Sequence, residues 1–232
     1  MIAGVSPPKL VSGLRGRTVT GCFRKGKQMW WTLDRGPGVL WHFGMAGGFR
    51  SYEKVAERPR FLKVELTLDG GRRFGFVDPR RFGRVRLVED PPSRPPLCEM
   101  GPDALDAMPG AAWWIAELRR RRTPVKTLLL NQAFVAGIGN WIADEVLYQS
   151  RIAPRREARD LAAAEVRRLR SKILRVLRKA CDVEADASRF PKAWLFHHRW
   201  GKTPGALTAR GEEIEFDCLG GRTTAWVPKV QV

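Results

Sequence analysis

Long apolar runs are missing from this sequence, and its opening stretch, MIAGVSPPKL, has no basic segment leading into an apolar one. Neither a membrane-spanning helix nor a secretory leader is expected, so the chain reads as intracellular with no membrane partner. Histidine is scarce: the three residues His42, His197 and His198 stand at no spacing that a zinc-binding helix would use. The four cysteines, Cys22, Cys98, Cys181 and Cys218, are scattered singly, which suggests neither a metal site nor a disulfide frame. They are expected to be reduced, mostly buried thiols. No metal and no cofactor is expected. Acidic residues are also in deficit, with 24 Asp and Glu against 42 Lys and Arg, a formal charge of +18. That balance points to an acidic polymer as partner. A membrane surface would answer the charge as well, but no amphipathic segment with a large exposed aromatic face accompanies it.

What is present is a folded chain. Its 44% hydrophobic content and nine tryptophans separate it from a disordered basic tail, and 232 residues suffice for one large domain or two modest ones. The stretch Val135–Tyr148, VAGIGNWIADEVLY, reads as a turn that opens a helix. Gly137 and Gly139 permit a tight bend, Asn140 suits an N-cap, and Trp141–Tyr148 places apolar residues at helical spacing. Amides pointing outward at a helix N-terminus attract anions, and here the obvious anion is a nucleic-acid phosphate. A plain turn between two core helices would use the same residues.

The first ninety residues read mainly as strands: Thr18–Arg24, Lys27–Leu33, Val39–Phe43, Phe61–Leu68, Arg72–Val77 and Arg84–Val88. An antiparallel sandwich or barrel is expected, although Met1–Leu14 supplies no convincing strand and no helix-forming segment. Pro91, Pro92, Pro95 and Pro96 read as a stiff linker. Beyond them the period becomes helical, over Ala111–Arg121, Val125–Gln132, Trp141–Gln149 and Asp160 to about Val183. The last of these has an apolar stripe from Leu161 to Ala180, with Arg167, Arg168, Arg170, Lys172, Arg175, Arg178 and Lys179 around it. Those cations read as a solvated face that helps at long range. The tail, Trp194–Val232, returns to short strands that form a hairpin bending at Gly220-Gly221, with Arg222 at its turn. The fold class is α+β. Its parts are an N-terminally incomplete antiparallel β-sandwich over 1–95, a helical domain over 96–190 and a hairpin over 191–232.

With these pieces in order, the chain resembles the formamidopyrimidine-DNA glycosylase family, the base-excision repair enzymes grouped with endonuclease VIII. The likeness rests on Arg24-Lys-Gly-Lys27, His42-Phe-Gly-Met-Ala-Gly47, Asp78-Pro-Arg-Arg-Phe-Gly83, Lys126-Thr-Leu-Leu-Leu-Asn-Gln132, Gly137-Ile-Gly-Asn140 and Gly221-Arg-Thr-Thr224. It implies a helix-two-turn-helix domain, a finger hairpin and a bifunctional glycosylase and AP lyase that removes oxidised purines or related bases. Its partner would be damaged double-stranded DNA, bound by a monomer. The tail is similar to the plant-type branch with a zincless finger, because Val227 and Val230 stand where the family's second cysteine pair would be. That likeness also implies a nuclear location. By resemblance, Met45, Arg80 and Phe82 fill the void left by an extruded nucleotide. The same likeness puts Lys27, Lys126, Gly137, Gly139, Asn140 and Arg222 on the flanking phosphates. Read without the family, Met45 and Phe82 are equally ordinary core, Arg80 a surface ion pair with Asp78, and Lys126 a solvated helix residue.

The sequence departs from the family at its start. Met1-Ile2-Ala3 stands where the family has a proline nucleophile followed by glutamate. Two readings compete: an incomplete sequence of a full enzyme, favoured by the intact lesion-site residues, and a variant that binds damaged or abasic DNA without the chemistry. Lys27 is the candidate substitute amine, provided its pKa falls well below about 10.4. Asn131, where the family usually has aspartate, is expected to weaken a buried hydrogen bond. A ribosomal or RNA-binding module would also account for Gly137–Asn140 and the charge, but it leaves Met45, the Asp78–Gly83 run and Arg222 unexplained.

Overall fold

The structure is a computed structural model that describes residues 4–232, and the departure at Met1–Ala3 lies outside the described residues. The chain divides into two compact units, Met1–Glu99 and Met100–Val232.

The first unit is an antiparallel sandwich. Strands β1 (Val19–Lys25), β2 (Gln28–Leu33), β3 (Gly38–His42) and β7 (Arg84–Val88) form one sheet in the order β1-β2-β3-β7. β4 (Gly48–Tyr52), β6 (Arg73–Val77) and β5 (Leu62–Thr67) form the other, in the order β4-β6-β5. Alternation sends one face of each strand inward, and that face is largely aromatic. Trp31 and Trp41 from the first sheet meet Phe49 of the second at centroid distances of 5.3 and 5.0 Å, and Phe76 lies 5.5 Å from Trp41. Such pairs each add about 0.5–1.5 kcal/mol to the burial of their rings.

Two elements here run against the sequence reading. Pro7–Leu14 is a helix, α1, which buries Leu10 and sets Gly13 so close to Leu87 that a Cβ there would lie 2.6 Å from its Cδ1. Its prolines occupy the first turn, where a missing N–H costs nothing. β4 was not expected at all. The proline run is no free spacer either. Pro91 is buried, and the Pro95 and Leu97 carbonyls accept from Arg86 Nη2 at 3.0 Å and Lys25 Nζ at 3.1 Å.

The second unit packs α2 (Ala111–Arg119), α3 (Val125–Leu130), α4 (Asn140–Ser150) and α5 (Ala163–Asp182) around one apolar cluster. On α5 the expected stripe, Val166, Leu169, Ile173, Val176, Leu177 and Ala180, is buried, while Arg167, Arg168, Arg175 and Arg178 are exposed. β8 (Glu215–Leu219) and β9 (Arg222–Trp226) form a hairpin. Leu219 pairs with Arg222, leaving Gly220 and Gly221 as a two-residue turn with φ of 56° and 71°. Both values are left-handed, which glycine adopts without strain. Val227 and Val230 pack with Tyr148, Leu195, Ile214 and Ala225, so apolar burial holds this tail. Among the described residues no group of three or more His, Cys, Asp or Glu stands together to hold a metal ion, and no helix is long and apolar enough to cross a membrane. The cysteines correct the sequence reading, since all four are exposed.

Candidate functional site

Strand register in the first unit gathers the candidate lesion residues at one end of a sheet. Gln28, which opens β2, pairs with His42 at the end of β3, and His42 pairs in turn with Arg84, which opens β7. The Gly26-Lys27 turn, the turn after His42 and the loop before Arg84 therefore leave the sheet on the same side. Lys27 is exposed at the tip of a two-residue hairpin whose Gly26 has φ 58°. Gly44 has φ 65°, and a Cβ on it would lie 2.7 Å from the backbone carbon of Phe82. The two turns thus touch, and only glycine permits it.

From those turns Met45 is 71% exposed and Phe82 53% exposed. Ordinary core is therefore excluded for both. The Arg80 guanidinium stands 5.3 Å from the centre of the Phe82 ring. Asp78 does not serve as an ion-pair partner for Arg80. It is buried, and its carboxylate accepts from the Arg81 and Gly83 amides at 3.0 and 2.7 Å. Those bonds hold Arg81 at φ 59°, an uncommon conformation for a residue with a side chain. An exposed sulfur, a cation and a ring are thus presented from a braced loop.

Beside them sits His42, which the sequence reading passed over. Burial first, then the charges of Lys27 and Arg84, depress its pKa below the ordinary imidazole value. These effects favour the neutral ring. Its Nδ1 accepts from the Gly44 amide at 3.1 Å, so the ring proton is on Nε2.

In the second unit the glycine turn is braced by Gln132. Its Oε1 accepts from the Gly137 amide at 3.1 Å, and its Nε2 donates to the Leu130 and Ile138 carbonyls. Gly137 has φ 106°, which explains the glycine there. Gly139, not Asn140, is the N-cap, and Asn140 is the first helical residue. The Asn140 side chain turns toward the hairpin, where Nδ2 donates to the Thr223 carbonyl at 2.9 Å. The concern over Asn131 does not hold. That residue is exposed, and its Oδ1 accepts from the Ala133 amide at 3.0 Å, a bond an aspartate would also make.

Lys126 departs furthest from expectation, because it is fully buried. Its ammonium lies 2.6 Å from Asp144 Oδ1 and donates to the Thr223 carbonyl and Thr224 Oγ1, each at 2.8 Å. Two of its donors are thus bonded to the hairpin, and its charge is paired with Asp144 inside the protein. Burial lowers its pKa against the opposing pull of Asp144. It is neither a solvated helix residue nor placed to touch a phosphate, and it acts on the hairpin instead. Arg222, one residue before Thr223, is exposed. Asp144 and Arg199 were missed as well. Asp144 follows Asn140 by four residues, so helical spacing places both on one face. No signal in the sequence marks Arg199.

Comparisons with known proteins point to one family. A family profile described as formamidopyrimidine-DNA glycosylase N-terminal domain matches residues 1–85, and one described as formamidopyrimidine-DNA glycosylase H2TH domain matches residues 100–192. A formamidopyrimidine-DNA glycosylase of Arabidopsis thaliana is 40% identical over 244 residues, covering 100% of this chain. The chain spans 62% of that relative's length, which is under two thirds of it. One from Geobacter metallireducens is 33% identical, over 97% of this chain and 86% of the relative. Among solved structures, a Lactococcus lactis Fpg (MutM) complex with FAPY-dG DNA has a TM-score of 0.83 at 25% identity, covering 100% of this chain and 88% of that one. A MutM complex with DNA containing carbocyclic 8-oxo-G has a TM-score of 0.82, also at 25% identity, covering 97% and 86%.

Proposed function

The chain belongs to the formamidopyrimidine-DNA glycosylase family, and on that premise we propose that it acts on damaged duplex DNA in base-excision repair, as a DNA glycosylase and AP lyase. The observation that carries the reading is the pair of exposed apolar side chains, Met45 and Phe82, on touching turns with Arg80 beside them. Folding alone gives no reason to leave a methionine and a phenylalanine in water on a braced loop. Extruding a nucleotide does, because the stack loses a few kcal/mol when a base leaves it. Met45 and Phe82 fill the gap, and Arg80 hydrogen-bonds the base left without its partner.

Arg222, Lys27 and the helix start at Gly139 and Asn140 take the flanking phosphates, while Gly137, whose amide is bonded to Gln132, shapes the turn and Lys126 serves at one remove by holding the hairpin. The substrate is an oxidised purine or a related base, and the protein works as a monomer. Likeness to a plant protein supports the nucleus as its place of work.

Lyase chemistry requires a neutral amine to add to the sugar C1′, with loss of water to a Schiff base and elimination of the 3′ phosphate. Lys27 is the amine we assign to any such step in this sequence. The test is incision of a duplex containing an abasic site, with borohydride added to trap the Schiff base. Nicking, and a cross-link that Lys27→Ala abolishes, are expected. Equal cross-linking by the variant removes Lys27 from the role. Tight, salt-sensitive binding without nicking would make the protein a lesion binder. Equal affinity for intact and abasic duplex would defeat both.

A further inference from the structure

Three ionisable side chains lie together in the interior of the second unit. Asp144, on α4, is 1% exposed, Lys126 0% and Arg199 5%. Asp144 Oδ1 faces Lys126 Nζ at 2.6 Å, and Oδ2 accepts from Arg199 Nη2 at 2.6 Å and Nε at 3.1 Å. Desolvating such groups is costly, and aliphatic packing of similar volume would join these elements at least as firmly. What ions do that methyl groups cannot is aim hydrogen bonds. Here the bonds converge on three consecutive residues of β9. The Thr223 carbonyl accepts from Lys126 at 2.8 Å and from Asn140 at 2.9 Å. Thr224 Oγ1 accepts from Lys126 at 2.8 Å, and the Ala225 amide donates to Asp144 Oδ2 at 3.2 Å. Arg222 immediately precedes them, and Gly220 of the hairpin turn lies against Thr127 of α3.

We propose that Asp144 is a positioning residue for Arg222, fixing the strand so that the guanidinium meets a DNA phosphate in one orientation. This rests on the reading of Arg222 as a phosphate contact. Asp144 orients both cations, and Lys126, neutralised by it, carries the constraint to the backbone beside Arg222. Phosphate binding is thus coupled to a buried triad that touches no DNA.

The experiment measures affinity for a duplex carrying a tetrahydrofuran abasic analogue between about 50 and 300 mM salt. Arg222→Ala is expected to weaken binding about tenfold and to lower the salt slope by about one. Asp144→Asn should reproduce that slope loss, and the double variant should bind no worse than Arg222→Ala alone. Because Asp144→Asn leaves two cations unpaired, a triple variant, Lys126→Met with Asp144→Leu and Arg199→Met, keeps the interior packed while removing the aimed bonds. With its thermal midpoint near wild type it should show the same slope loss. A folded triple variant with wild-type affinity and slope would overturn the proposal, as would additive losses in the double variant. Wild-type binding by Arg222→Ala would instead remove the reading of Arg222 itself, and the proposal with it.

Discussion

Glu145 is a buried carboxyl that the proposed chemistry does not use, and it makes a sharp prediction about stability. It sits on α4 with 0% exposure, Oε1 accepting from Gln149 Nε2 at 2.7 Å and Oε2 from the Phe196 amide at 2.9 Å. Burial raises its pKa to about 7, against the lowering effect of those hydrogen bonds. The folded state therefore holds a proton that the unfolded chain releases near 4.5, and stability falls as pH rises through that window. At about 1.4 kcal/mol for each tenfold change, the loss is about 3 kcal/mol, complete a little above pH 7. Glu145→Gln mimics the protonated form, with the Gln149 amide free to turn its oxygen toward the new donor. Urea denaturation at about pH 5 and pH 8, followed by tryptophan fluorescence, measures the difference. Trp141 and Trp194 report on this region, since both pack in the ring cluster with Phe190. The variant should gain about 2–3 kcal/mol over wild type between the two pH values, with an unchanged denaturant slope. A difference that stays constant with pH would show that the Glu145 carboxyl pKa is not raised by burial.

Two further substitutions probe the loops that carry the lesion residues. Asp78→Ala removes both acceptors for the Arg81 and Gly83 amides, and should cost about 2–3 kcal/mol by thermal or urea unfolding. It should also erode the preference for abasic over intact duplex. Gly44→Ala puts a Cβ 2.7 Å from Phe82 backbone at a left-handed φ. It should lose at least about 1 kcal/mol from the backbone angle alone, together with much of the abasic preference.

The residues that could be read in sequence are those whose neighbours in the chain explain them. Val64 and Leu66 alternate with polar residues because both pack against the core, and the α5 stripe repeats because one side of that helix is buried. β4 has only Phe49 and Tyr52 as large apolar side chains, three positions apart, and it becomes a strand by pairing with β6. Met1–Leu14 read as neither strand nor helix, yet Pro7 and Pro8 begin a helix. The burial of Lys126 had no local signal, because Asp144 stands on the next helix and the hairpin groups that accept from it lie 97 and 98 residues further on. Exposure of Met45 and Phe82 was equally hidden, since an apolar residue in a turn looks the same whether it packs or projects. Their likeness to a family motif carried those assignments, and the register around His42 gives them a common place.

The most direct measurement is the ratio of affinities for an abasic-analogue duplex and the same duplex intact, compared between wild type and a variant with Met45, Arg80 and Phe82 all replaced by alanine. All three side chains are exposed, so the fold should survive their loss. The variant is expected to keep its salt-dependent affinity for intact duplex while the ratio falls toward one. An unchanged ratio in a folded variant would contradict that expectation.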